Sequence, residues 1–358
     1  MEFNFSDPTI AKGLVGRIEK LAKNIGNVKL MELCGTHTYT IARAGIKSLL
    51  PENITLISGP GCPVCITPDE EIDLAIRLAM EGITVCTFGD MLRVPGGNRS
   101  LEDVKKEGGD VRVVYSVFDA LHIAKKNPEK EIMFFAVGFE TTAPATALAI
   151  KEAPPNFSVL SAHRRFPPAM EALLKGGSEI EGFINPGHVS SIVGIKPYQR
   201  IAELYHIPQV IAGFEPLDVL VSIVILLKMI IDGSYDVVNE YSRVVKEKGN
   251  IKAMGVIDEV FETGEGVWRG LGIVPASGLR IREKWEEKDA HKKFGLKVRN
   301  IKSKKGCRCG DVLRGIITPL QCPLFSSSCT PATPLGPCMV SSEGACGIAY
   351  QYEREENK

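Results

Sequence analysis

The amino-acid sequence predicts an α/β protein with two parallel-sheet α/β domains and a smaller, cysteine-rich C-terminal domain. Three observations carry that expectation. Short runs of apolar and β-branched residues alternate with segments whose apolar residues recur at helical spacing. The runs are nearly continuous in their apolar character, as strands buried on both faces are, and such strands belong to parallel sheets covered by helices. Finally, six of ten cysteines (Cys307, Cys309, Cys322, Cys329, Cys338 and Cys346) fall in one stretch rich in Pro, Ser and Gly that cannot build an apolar core of its own.

Eight strands are expected: Val28–Leu33, Ile54–Ser58, Thr84–Phe88, Val111–Tyr115, Glu131–Val137, Ser158–Ala162, Glu181–Ile184 and Gln209–Gly213. Helical spacing is plain in Ile72, Ala75, Ile76, Ala79 and Met80. Thr67 as N-cap, Pro68 at N1 and Glu70 at N3 form a capping box for that helix, and Gly82 is a C′ stop. The polar segment Lys125–Lys130 divides the strands into two domains, residues 1–127 and 128–232. Leu217 to Ile231 is a helix; its apolar part is interrupted by Lys228 and too short to span a bilayer, so it reads as a buried core helix. Helical stretches near Tyr235–Lys248 and Ile251–Phe261, a Gly-rich strand-like region Gly266–Leu279 and a charged stretch Arg280–Lys305 open a third domain, residues 233–358. The basic end of that stretch, Lys297–Lys305, reads as a solvated linker.

The chain has 358 residues, which suits two or three domains of roughly 100–200 residues each. Lys+Arg and Asp+Glu are both 43, so the net charge is zero and a nucleic-acid footprint is absent. The N-terminal MEFNFSDPTI has neither the basic nor the apolar region of a secretory signal. The expected compartment is the cytoplasm, where thiols stay reduced and ten cysteines point to metal or redox chemistry.

Two thiol sites stand out. Cys34-Gly35-Thr36-His37 follows the first strand, and Gly59-Pro60-Gly61-Cys62-Pro63-Val64-Cys65 follows the second. Open α/β sheets do their chemistry beyond strand C-termini. If the two strands are neighbours, Cys34, Cys62 and Cys65 share one rim. The Cys-x-x-Cys spacing allows a reversible disulfide or ligation of a soft metal, and a helix start just after Cys65 favours its thiolate. Cys86, inside a strand, reads as a buried small hydrophobe.

In the tail, the paired Cys-x₂₋₄-Cys knuckles of a zinc site are missing. A [4Fe–4S] cluster takes four thiolates at irregular spacing, which favours iron–sulfur over zinc. Cys307, Cys322, Cys329 and Cys346 are the expected ligands, because both sulfurs of a Cys-x-Cys pair rarely bind one cubane. Cys309 and Cys338 remain as a redox pair; Arg308 and Arg314 read by default as surface arginines, with offset of cluster charge as the alternative. Asp90, Glu140 and His188 occupy the same strand-end position after their own strands and are further site candidates. No Walker loop, G-x-G-x-x-G or radical-enzyme C-x₃-C-x₂-C motif occurs.

The four motifs Cys34–His37, Gly59–Cys65, Gly138-Phe139-Glu140-Thr141-Thr142 and Pro186-Gly187-His188-Val189-Ser190, with the tail Cys307–Tyr350, resemble the HypD family of hydrogenase maturation proteins. The resemblance covers nearly the whole chain. The family's first motif usually has a second histidine where this chain has Tyr39. The resemblance implies a scaffold for the iron centre of [NiFe]-hydrogenases. Such a scaffold works with the small chaperone HypC and the cyanide donor HypE, and serves the hydrogenase large subunit indirectly. A transient Fe with CN and CO ligands would be held by Cys34, assisted by His37 and a chaperone thiolate. Cys62 and Cys65 would cycle between dithiol and disulfide, or handle the cyano group, while a more distant [4Fe–4S] cluster supplies electrons. No nucleic acid or membrane is implied. The alternatives are an iron–sulfur-driven thiol–disulfide reductase and a zinc-stabilised binding module.

Overall fold

The structure, a computed structural model, describes residues 7–177, 179–299, 301 and 306–353. The end of the basic segment, Lys302–Lys305, lies outside the described residues. All eight expected strands form: β1 (Val28–Glu32), β2 (Ile54–Ser58), β3 (Thr84–Thr87), β4 (Val111–Val113), β5 (Ile132–Gly138), β6 (Phe157–His163), β7 (Gly182–Pro186) and β8 (Gln209–Ala212). They build two all-parallel sheets, and β3, β5, β7 and β8 are buried at every residue. This is the burial that continuous apolar runs demand.

The strands are not shared out in chain order. The first sheet runs β2-β1-β7-β8-β9, with β9 at Val237–Asn239, and the second runs β4-β3-β5-β6. Residues 1–127 therefore contribute two strands to each sheet, and the sheets do not follow a division at 127/128. The chain leaves the first sheet after β2, builds the whole second sheet, and returns at β7 beside β1. Lys125–Lys130 closes the Val117–Lys126 helix and turns into β5, within the second sheet. A polar, charged turn has the same composition whether it joins two domains or two elements of one. The stretch expected to be helical near Tyr235–Lys248 instead supplies β9 and turns, because the β-branched Val237 and Val238 extend the sheet edge beside β8.

Three packed clusters organise the core. The Pro216–Ile231 helix packs on the Pro8–Ala22 helix and on β7 and β8, forming an outer core over the first sheet. Among the described residues no helix is long and apolar enough to cross a membrane. Helices Val117–Lys126, Ala143–Glu152 and Ile251–Val260 form an outer core over the second sheet with Ile132 and Phe134, and Cys86 is fully buried there. The Gly-rich region is an antiparallel hairpin, β10 (Phe261–Trp268) and β11 (Gly272–Ile281). The largest cluster takes residues from both sheets (Met31, Phe183 and Ile211 with Val85, Met133 and Phe135), and Cys62, Cys65, Cys309, Cys329, Cys338 and Cys346 belong to it.

Strand order reverses once in each sheet, between β1 and β7 and between β3 and β5. These reversals are where crevices open at the carboxyl ends of parallel strands. Cys34 and Pro186-Gly187-His188 follow the strands that flank the first; Gly89-Asp90 and Phe139-Glu140 follow those that flank the second.

Phe134 and Phe135 are both fully buried but face different cores. Replacing either with Ala is expected to lower the unfolding free energy by about 3–5 kcal/mol in urea titrations. Only Phe135→Ala is expected to speed modification of Cys65 by a small thiol reagent, because only Phe135 shares its core.

Candidate metal and thiol centre

β1 and β2 are parallel neighbours, with Glu32 opposite Ser58, so the two thiol loops leave the sheet side by side. Cys34 takes extended backbone at the N-cap position of the Gly35–Arg43 helix, and its amide donates to Glu32 Oε2 at 2.9 Å. Glu32 also accepts from Thr38 Oγ1 at 2.5 Å. Burial pushes the Glu32 carboxyl up to about 7. Burial, with Glu343 and Glu32 nearby, pushes the Cys34 thiol up to about 12, against the amides of Thr36 and His37 that point at its sulfur. Two glycines allow the approach of other segments. A Cβ on Gly61 would stand 2.3 Å from the Leu33 carbonyl carbon, and one on Gly35 2.3 Å from Glu343 Cβ. The loop after β2 and the C-terminal tail therefore both close on Cys34.

His37 is fully buried, with Nε2 2.8 Å from the Gly213 carbonyl oxygen. A carbonyl only accepts, so Nε2 carries the proton and Nδ1 keeps its lone pair. Among the described residues Nδ1 has no hydrogen-bond partner, and burial draws the imidazole down to about 4, so the ring is neutral. Gly213 is held by the Glu240 carboxylate, which accepts its amide at 3.1 Å, and by the Asp218–Arg243 ion pair beneath it. Phe214 stacks on both His37 and His188, at centroid distances of 4.9 and 3.9 Å, and so joins these two candidates although His188 itself is exposed. Tyr39 turns elsewhere: its hydroxyl accepts from Tyr352 at 3.4 Å and its ring meets Tyr352 edge-on, against the Ala345–Tyr352 helix.

The other two strand-end carboxylates are engaged with the fold. Both oxygens of Glu140 accept the Phe166 amide ahead of the Pro167–Lys175 helix, and burial pushes Glu140 up to about 7. Asp90 tethers the tail, accepting from Ser341 Oγ at 2.9 Å and from Ser342 N and Oγ at 3.0 Å each.

Cys62 starts the short Pro63–Ile66 helix and its sulfur accepts the Cys65 amide at 3.2 Å. The longer helix begins only at Asp69, with Pro68 in the N-cap place, and Thr67 Oγ1 donates back to the Pro63 carbonyl instead of capping it. Gly82, at φ +89°, does end that helix. Cys65 is thus separated from the longer helix, and burial pushes its thiol well above the usual range rather than below it.

The two thiol groups are not apart. The Cys65 thiol lies near enough to those of Cys62 and Cys338 for each to bear on its ionisation, and Cys338 stands in the same relation to Cys309 and Cys346. Cys307, Cys309, Cys322, Cys329 and Cys346 line one cavity with Leu324, Phe325 and Met339. All four expected ligands are there, together with Cys309, while Cys338 bridges Cys309 and Cys65. Among the described residues the lining holds no carboxylate and no imidazole, and Arg308 is its one charged member. A Cβ on Gly336 would stand 2.7 Å from Cys307 Sγ and 3.3 Å from Cys309 Sγ, so glycine keeps room beside the sulfurs. Among the described residues no three His, Cys, Asp or Glu side chains converge on a single metal-ion position.

Arg308 and Arg314 both pair with the Asp311 carboxylate at the surface. The buried cation whose charge acts on Cys309 and Cys338 is Arg269, from the β10–β11 turn, bound to Asp69 Oδ1 at 2.7 Å and the Thr67 carbonyl at 2.9 Å. Sequence reasoning missed Arg269, Ser341 and Phe214. Phe214 was within reach of the strand-end rule, since it follows β8; Arg269 and Ser341 carry no local signal.

The chain matches the HypD family, described as the hydrogenase formation hypA family, over residues 9–353. It belongs to that family. A putative hydrogenase expression/formation protein of Methanocaldococcus jannaschii is 47% identical over 355 residues, 98% of this chain and 99% of that protein. Hydrogenase maturation factors HypD of Cupriavidus necator and Rhodobacter capsulatus are 45% and 46% identical over 364 residues. These alignments cover 98% and 97% of this chain and 96% and 97% of the respective relatives. The chain is thus a HypD-family hydrogenase maturation factor, as its motifs led us to expect.

Glu140 gives a pH-dependent expectation. Its folded-state value near 7 lies above the ordinary 4.5, so its contribution to stability is fully present below about 4.5 and is lost as the pH rises to 7. Glu140→Gln keeps an oxygen for the Phe166 amide and cannot ionise. The variant is expected to match the parent protein in urea denaturation at pH 4.5 and to exceed it at pH 8.

Proposed function

We propose that this chain is a cytoplasmic scaffold on which the Fe(CN)₂CO centre of [NiFe]-hydrogenases is assembled with HypC and HypE, before the iron passes to the hydrogenase large subunit. The observation that carries this reading is the presence, in one motif at a strand-order reversal, of the desolvated Cys34 thiol and of a neutral histidine whose Nδ1 lone pair has no partner among the described residues.

Iron is the cargo here. Cys34 holds it as thiolate; a thiol kept protonated by burial gives up its proton when a cation takes its place, so binding is coupled to proton release. His37 Nδ1 is the second donor and a HypC thiolate the third. Low-spin iron with cyanide and carbonyl ligands is soft, and thiolate suits it. Cys62 and Cys65, on the adjoining loop, cycle between dithiol and disulfide or receive the cyano group.

Cys307, Cys322, Cys329 and Cys346 would hold a [4Fe–4S] cluster. Five thiols in an otherwise mostly apolar lining, with Arg308 beside them, and the space kept by Gly336 fit that group. When bound, the cluster supplies single electrons. Cys309 and Cys338 form the redox pair: Cys309 faces the cavity and Cys338 touches Cys65. In thiol–disulfide exchange Cys338 bonds to Cys65 as the Cys62–Cys65 bond breaks; Cys309 then bonds to Cys338 and frees Cys65, so two electrons pass between the pairs. A general reductase would present its attacking thiol to other proteins, whereas Cys62 and Cys65 are 3% and 0% exposed.

Protein purified without oxygen together with HypC is expected to show cyanide and carbonyl infrared bands, and Cys34→Ala to lack them. Bands of parent intensity in that variant would sink the assignment. The parent protein is expected to be brown and to bleach on reduction. Ser at Cys307, Cys322, Cys329 or Cys346 should abolish the colour, and Ser at Cys309 or Cys338 should leave it; a colourless parent containing zinc would overturn the cluster.

A further inference from the structure

A dithiol that becomes a disulfide loses protons as well as electrons, and Cys62 has 3% of its surface exposed. Its sulfur nevertheless has a defined proton acceptor. The Cys62 thiol donates to Ser341 Oγ at 3.4 Å, and the Ser341 hydroxyl donates to Asp90 Oδ2 at 2.9 Å. Ser341 is itself 3% exposed, while Asp90 reaches the surface in part. The Glu343 amide donates to Ser341 Oγ at 3.2 Å. A hydroxyl has one proton and two lone pairs. Here the proton is committed to Asp90 and the lone pairs to Cys62 and Glu343, so the hydroxyl is oriented for relay. On its other side the Cys62 sulfur accepts the Cys65 amide at 3.2 Å, a donor already in place for a thiolate.

We propose that Ser341 and Asp90 are the proton path of Cys62, with Ser341 the group that touches the reacting sulfur and Asp90 acting through it. This deepens the reading of Cys62 and Cys65 as a redox pair and rests on it. Starting from a Cys65–Cys338 mixed disulfide, the Cys62 thiol passes its proton to Ser341 Oγ as the Ser341 proton moves to the Asp90 carboxylate. Asp90 releases it to water. The Cys62 thiolate bonds to the Cys65 sulfur, the Cys65–Cys338 bond breaks, and Cys338 leaves with the electron pair. Reduction runs the same steps backwards. Electrons thus pass through Cys65 and Cys338 toward the tail cavity, and protons through Ser341 and Asp90 toward solvent. This division explains why residues between Cys338 and Cys346 are tied to the Cys62 loop by a carboxylate after β3.

The test uses the full-length reduced protein. The Cys62–Cys65 disulfide is formed with oxidised dithiothreitol as the small disulfide, and its appearance is followed by peptide mass mapping in H₂O and D₂O. Ser341→Ala and Asp90→Asn are expected to slow it by ~10²-fold, the usual scale of positioned proton transfer. Asn keeps an oxygen for the Ser342 amide but takes no proton. Ser341→Thr is expected to restore the rate. The parent protein is expected to react more slowly in D₂O, and Ser341→Ala to lose that difference. Ser342→Ala, which loosens the tether and spares the relay, is expected to react at the parent rate. Formation at the parent rate in Ser341→Ala, or equal slowing in Ser342→Ala, would overturn the relay and leave the redox pair standing. A parent protein that never forms the Cys62–Cys65 disulfide would overturn both.

Discussion

Neutral sulfur is cheap to bury and ionised sulfur is expensive, and this difference governs the centre. Cys34, Cys62, Cys65, Cys309, Cys329, Cys338 and Cys346 all lie under a tenth exposed, six of them in a core that both sheets help to build. In that setting a thiolate needs a compensating partner, whether a cation, a donated amide or a proton acceptor within reach. The contact of Cys65 with Cys338 places two loops, one from each end of the chain, under this same constraint.

The surroundings answer it with few charges. Arg269 is the buried cation beside Cys309 and Cys338, and its own cost of burial is met by Asp69 and the Thr67 carbonyl. His37 stays neutral because Gly213 fixes its protonated nitrogen and burial disfavours a second proton. Glu32 and Glu343 stand near Cys34 and raise its thiol further.

The second sheet shapes the first sheet's site through its own strand ends. Asp90 follows β3 and holds Ser341 and Ser342 of the tail, and Ser341 touches Cys62, 279 residues away in sequence. Chain order makes this contact available: the polypeptide builds the second sheet between β2 and β7, so both sets of strand ends border the shared core.

The alternation of strands and helices, the strand-end cysteine motifs and the sulfur-rich tail could all be read from local pattern, because continuous apolar runs, glycine-proline loops and cysteine spacing express short-range geometry. The same reading set Cys307, Cys322, Cys329 and Cys346 apart from Cys309, whereas all five line one cavity. It put the division between sheets at Lys125–Lys130, where a polar turn has no signature to separate it from a linker. It also gave Cys65 a helix-start environment that burial and the intervening Thr67-Pro68 deny it. By itself, then, the sequence determined the eight main strands and which sulfurs sit at strand ends or gather in the tail. Only the tertiary structure decided that the two sulfur groups touch, that Arg269 supplies the buried charge and that Ser341 lies on Cys62, since each of these is a contact between distant segments brought together by packing.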